Sequence, residues 1–121
     1  MGLDCSHDCW HGAYSAFMRW RCKLLEVSYH LDLMQMKNFN GDIPWRVLGK
    51  DPLVILLNHS DCDGIIEAKD CEPLANRLEE LLPLLPKEDD LGHIGSWQNK
   101  TQQFIDGLRL AASRGEDVDF H

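Results

Sequence analysis

The chain has 121 residues, 44% of them hydrophobic, which suits a single domain that buries one core without metal or disulfide staples. Twenty acidic against twelve basic residues give a formal net charge of -8, so a broad nucleic-acid or anionic-membrane surface is disfavoured, while a local basic pocket is still allowed. The cysteine count of five is odd, no positively charged, apolar leader precedes GLDCSH, and no stretch reaches the ~20 apolar residues of a membrane span. The expectation is a soluble cytoplasmic protein in a reducing compartment, with Cys22, Cys62 and Cys71 as small packing residues.

GLDCS alternates apolar and polar residues and reads as a strand. From Gly12 the period becomes helical: Ala13, Phe17, Trp20 and Leu24 share a face, predicting a helix from about Gly12 to Ser28. The next segment, 29–50, has no clean period and carries Asn-Gly and Ile-Pro turn signals, so it is expected to be mostly loop with one helical turn. A loop of that length in a small domain often lies over a site. Asp51 and Pro52 predict the start of a short helix through LVILL. Leu74, Leu78, Leu81, Leu82 and Leu85 mark an amphipathic helix that Pro83 ends or kinks. A charged, glycine-bearing loop follows, and Ser96 then caps a last helix with Phe104, Ile105, Leu108 and Ala112 on its apolar face and Gly115 as its stop. DVDFH alternates again. Two lone strands need a partner, so the predicted fold is α+β: three or four helices packed on a small sheet in which the N- and C-terminal strands pair.

Cys5, His7, Cys9 and His11 alternate as in a metal knuckle. Alternate strand residues lie ~6.6 Å apart, so positions 5 and 11 are ~20 Å apart in an extended chain and cannot share one tetrahedral ion. Cys9 and His11 are therefore expected in a loop or at the start of the helix, and His7 at a strand end stays a site candidate. HSDCDGIIEAKD, residues 59–70, resembles an EF-hand loop, with Asp61, Asp63, Gly64, Ile66 and Asp70 at the third, fifth, sixth, eighth and twelfth positions. His59 stands where a carboxylate is usual and Asp70 is shorter than the usual glutamate, so calcium affinity is expected to be poor, and the stretch also reads as a plain Asx turn. A helix beginning at Gly12 offers free amides to an anion, with Ser15 on its first turn.

Three stretches together, GLDCSHDCWHGAYSAF, HSDCDG and the closing DFH, resemble a family of small uncharacterised proteins found in phage and bacterial genomes. The resemblance rests on Gly2, Leu3, Asp4, Ser6, His7, Gly12, Ala13, Tyr14 and Ser15, then His59, Ser60, Asp61, Cys62, Asp63 and Gly64, then Phe120 and His121. No activity attaches to that family. What the resemblance implies is that these stretches surround one site, in a host cytoplasm where the chain is phage-encoded.

Three functions follow as expectations. In the first, Ser6, His7, Tyr14, Arg19, His59, Asp61, Asp63, Lys100 and His121 line a pocket for a small polar ligand of nucleotide-like or phosphorylated character, Arg19 or Lys100 neutralising the phosphate. In the second, His7, His59, Asp61, Asp63 and His121 hold a divalent metal (zinc, manganese or calcium) for hydrolysis. In the third, the acidic surface engages a basic protein partner. Neither HExxH, GxSxG nor a phosphate-binding glycine loop is present, so whether the chain is an enzyme is left open.

Overall fold

The structure is a computed structural model that describes residues 2–86 and 96–121. The chain is α+β, as its pattern predicts. Strand β1 (Gly2–Cys5) turns through a 3-10 segment into β2 (Trp10–Ala13), and helix α1 (Tyr14–Tyr29) follows directly. After two further 3-10 turns come α2 (Leu53–Leu57), β3 (Ile65–Ile66), α3 (Ala68–Leu81), α4 (Trp97–Arg114) and β4 (Val118–Asp119).

The strands form two antiparallel pairs, β1 with β2 and β3 with β4. The expected meeting of the chain ends takes the form of a single bridge between Cys5 and Phe120 rather than a full strand pair. There the His121 N–H donates to the Asp4 carbonyl at 2.8 Å, and the Asp4 N–H to the His121 carbonyl at 3.4 Å. On its other side the chain end is held by the Phe120 N–H, 2.9 Å from the Gly64 carbonyl. The end of the chain is thus threaded between its beginning and its middle.

One apolar cluster runs through all the helices. Leu3 and Cys5, the inward half of the β1 alternation, are buried. Trp10 stacks on Trp20 at 5.1 Å between ring centroids and meets Phe17 edge-on at 5.3 Å, while Phe104 and Phe120 close the group at 4.9 Å from Trp20 and 5.9 Å from Phe17. Helices α3 and α4 form the most extensive packed pair. A close approach sets how the 6–9 turn lies on α4: a Cβ at Gly107 would stand 2.4 Å from Cys9 Sγ and 2.8 Å from the His7 carbonyl, so only glycine fits.

Several local expectations are corrected. Gly12 and Ala13 belong to β2, so α1 starts at Tyr14, and His11 lies in a strand. Cys9 does stand in the turn before β2, but it is buried in the core there, and burial pushes its thiol up to about 12. Of the three cysteines expected to pack, Cys71 is buried and Cys22 half-buried, but Cys62 is exposed. Within the EF-hand-like stretch, residues 65–66 pair with β4 and Asp70 stands in the first turn of α3. That helix also begins six residues before the leucine stripe and carries Pro73 inside it at its sixth position, past the first turn, where proline takes one amide out of the helical ladder. The 29–50 segment is irregular as expected, with 3-10 turns at Leu33–Gln35 and Trp45–Leu48, and Leu33, Met36 and Leu48 pin it to the core. Ser96 caps α4 by accepting the Asn99 N–H, and Gly115 ends it at φ 63°. Most of the charged loop before Ser96 lies outside the described residues.

Candidate functional site

The start of α1 carries positive potential that nothing in its own first turn offsets. Its N-cap is Ala13, no side chain caps it, and no acidic residue stands in the first turn, so its amides face outward with the positive end of the helix dipole. They open onto a cleft of about 490 Å³ lined by Trp10, His11, Gly12, Ser15, Arg19 and Lys100 among others. Trp10 is fully buried, yet its indole Nε1 has no hydrogen-bond partner. A Cβ placed on Gly12 would stand 3.3 Å from that nitrogen, so the N–H lies just under the cleft wall. Lys100 sits with Nζ 4.9 Å above the Trp10 ring and donates to the His11 carbonyl at 3.4 Å. At the rim, His11 is clamped between Asp4 (2.7 Å at Nδ1) and Asp8 (2.5 Å at Nε2), and these two hydrogen bonds raise its pKa.

A second cleft, of about 280 Å³, is lined by Met18, Arg21, Asn38, Phe39, Asn58, His59, Ser60 and Asp61. Arg21 is 1% exposed; its Nη1 donates to the carbonyls of Leu56, Leu57 and His59 at 3.5, 3.3 and 2.7 Å, closing the C-terminal end of α2. The guanidinium lies 4.7 Å from the Phe17 ring centre and 5.5 Å from that of Phe39. Burial lowers its pKa and the charge of Asp61 opposes that shift. The His59 ring packs on Phe120 at 4.1 Å, with Nδ1 2.7 Å from the Ser60 carbonyl and Nε2 2.8 Å from the Ile65 carbonyl. These contacts close the 59–64 turn, which Gly64 completes at φ 92°.

At the opposite end of the 6–9 turn, Ser6, His7 and Glu116 form a chain. Ser6 Oγ accepts the Asp119 N–H at 2.8 Å and lies 2.8 Å from His7 Nδ1, and His7 Nε2 lies 2.8 Å from Glu116 Oε1. His7 and Asp8 are consecutive non-glycine residues in the left-handed region (φ 60° and 62°), each costing about 1 kcal/mol or more. The chain offsets that strain by tying the turn to the α4–β4 connection, with the Gln103 amide holding the Asp8 carbonyl at 2.9 Å. Ser6 Oγ thus contacts both a backbone amide and the His7 ring, and through it the chain ties the turn to β4.

The single site expected from the sequence is therefore divided. Arg19 and Lys100 share the α1 cleft, His59 and Asp61 the Arg21 cleft, and Ser6 and His7 the turn that faces Glu116. Tyr14 packs against the core, and Asp63 and His121 are exposed on the middle turn and the chain end. The metal set His7, His59, Asp61, Asp63 and His121 does not assemble: among the described residues no group of three or more such side chains is placed to hold an ion. The reason is local, since the His59 nitrogens face carbonyl oxygens and those of His7 face Ser6 and Glu116. Sequence reasoning missed Trp10 and Arg21. Arg21 stands four residues after Phe17 and three before Leu24, and a charged residue in an apolar stripe is the signal that marks it.

Fold and clefts together describe a small α+β protein whose polar side chains frame open ligand-sized hollows. Compared with family models, curated proteins and solved structures, the chain finds no match in any of the three, so its chemistry is read from its own residues. Among the described residues no helix is long and apolar enough to cross a membrane.

Proposed function

We propose that the protein is a binding module that captures a small anionic ligand, phosphorylated or nucleotide-like, in the cleft at the start of α1. The observation that carries this reading is the buried, unpartnered indole N–H of Trp10 beside an uncapped helix start. A phosphate group offers several acceptor oxygens to donors of this kind, and helix starts favour such groups. Lys100 and Arg19 add cationic charge locally to a chain whose net charge is -8. A cleft of about 490 Å³ has the volume of a small-molecule site.

Two substitutions test it. Calorimetric titration of the full chain with inorganic phosphate and with adenosine monophosphate is expected to show saturable binding that Lys100→Ala weakens by roughly tenfold to a hundredfold, the range of a lost charge-assisted hydrogen bond. Gly12→Ala is expected to weaken it as well by crowding Trp10 Nε1, while the thermal midpoint stays near that of the parent. Absence of saturable binding to either probe, or affinity indifferent to both substitutions, removes the reading.

A further inference from the structure

The Arg21 cleft is separate from the anion site: on α1 it is lined by Met18 and Arg21, whereas the other cleft is lined by Ser15, Ala16 and Arg19. We propose that it is a second binding site, for a small neutral ligand presenting a cis-amide edge, a carbonyl oxygen next to an N–H, as in a lactam or a free pyrimidine base. The first support is an unmet donor. Arg21 is buried, its Nη1 is engaged by the α2 carbonyls, and its Nε–H has no partner although the residue lines the cleft. A buried N–H without a partner is costly, and a ligand oxygen in the cleft is one acceptor that would remove the cost.

The second support is the amide pair above it. Asn38 and Asn58, brought from the long 29–50 segment and from the end of α2, meet across the cleft with Asn38 Nδ2 only loosely donating to Asn58 Oδ1 at 3.4 Å. Each carboxamide keeps further donor and acceptor capacity, which an amide edge matches in both directions. Asn38 is held at φ 77°, a conformation asparagine tolerates better than most residues.

Charge decides between a neutral ligand and an ion. The Arg21 cation already faces three carbonyls and the opposing charge of Asp61, which itself lines the cleft. An added carboxylate or phosphate would meet Asp61 without a free countercharge, whereas a neutral carbonyl would not. At about 280 Å³ the cleft lies below the usual range for drug-sized ligands and suits a single ring. Met18 and Phe39 supply its apolar wall.

The experiment follows the Arg21 Nε–H and the Asn38 and Asn58 side-chain amides by nitrogen–proton NMR on the full chain, with uracil and 2-pyrrolidinone as probes and acetate and inorganic phosphate as controls. Saturable shifts of all three groups with either neutral probe are expected, with a midpoint on the order of millimolar for so small a ligand. Asn58→Ala and Asn38→Gly, both at exposed positions and the latter keeping the positive φ, are expected to weaken the response at least tenfold with the amide spectrum otherwise unchanged. No saturable shift up to the solubility limit, an equal response in both variants, or a stronger response to acetate or phosphate overturns the proposal. Phosphate binding at the α1 cleft is read at Trp10 and Lys100, so the two readings fail separately.

Discussion

His11 shows how a single residue can be committed by its neighbours. It is half-exposed, but aspartates from β1 and from the turn occupy both ring nitrogens, so the doubly protonated ring is favoured and its pKa is raised. A group whose folded pKa lies above its unfolded value stabilises the fold fully below the ordinary histidine value of about 6.5, and that contribution is lost as pH rises through the raised value. The thermal midpoint of the parent chain, compared with His11→Gln, is therefore expected to show its largest advantage on the acid side of neutrality and to converge at alkaline pH. High salt should shrink the difference, because the pairs are exposed. A proton NMR titration placing the His11 midpoint at or below 6.5 would contradict the linkage. At this scale the sequence was informative about which side chains are polar and much less so about which ones lack partners. Arg19 and Lys100 could be named as cations near a helix start, but the orphaned indole of Trp10 arises from the fit of Gly12 over it, which no periodicity encodes.

Among the elements, α1, α2 and α3 meet at Asp51. Its carboxylate accepts the Leu53 N–H at the start of α2, the Tyr29 O–H from the end of α1 at 2.5 Å, and Arg77 Nε of α3 at 2.9 and 3.1 Å. Burial alone would raise its pKa, but the three donors outweigh it and the net shift is downward. Stability from Asp51 is thus present above the ordinary carboxylate range and lost as pH falls through the lowered value. Asp51→Ala is expected to cost about 1–3 kcal/mol in urea unfolding at neutral pH, the lower part applying because Arg77 is partly exposed and solvent screens the pair. The difference from the parent should narrow in acid, and an unchanged gap there would place the effect elsewhere. Elements of this kind were legible where a long apolar stripe runs with a capping residue, as in α4, whose Ser96 and Gly115 mark both ends. The β2 strand was not legible, because Trp10 alone faces inward over WHGA and the helical stripe that follows masks the change of period.

The whole molecule is closed by its last four residues. Val118 and Phe120 are buried, Asp119 completes the pair with Ile65 and donates its N–H to Ser6, and His121 exchanges backbone hydrogen bonds with Asp4. Sequence alternation at both ends made this convergence readable, though not that the middle turn would seat on the same segment: that depends on the His59 ring lying 4.1 Å from Phe120 and on the Gly64 carbonyl receiving its amide. Phe120 is therefore the residue through which beginning, middle and end act together. Replacing it with alanine empties a site that also meets Phe17 at 5.9 Å, and large-to-small changes of a buried phenylalanine cost about 3–5 kcal/mol. Since a domain's total stability is itself about 5–15 kcal/mol, Phe120→Ala should bring the chain close to its threshold. Phe120→Leu, which keeps most of the buried volume, should lose far less. Hydrogen exchange discriminates a shared closure from a simple cavity. Uniformly faster exchange across the core would reflect the cavity alone, whereas closure predicts that amides of Asp4, Ile66 and His121 lose protection together and beyond those of α3 and α4, because one ring holds three remote segments against each other.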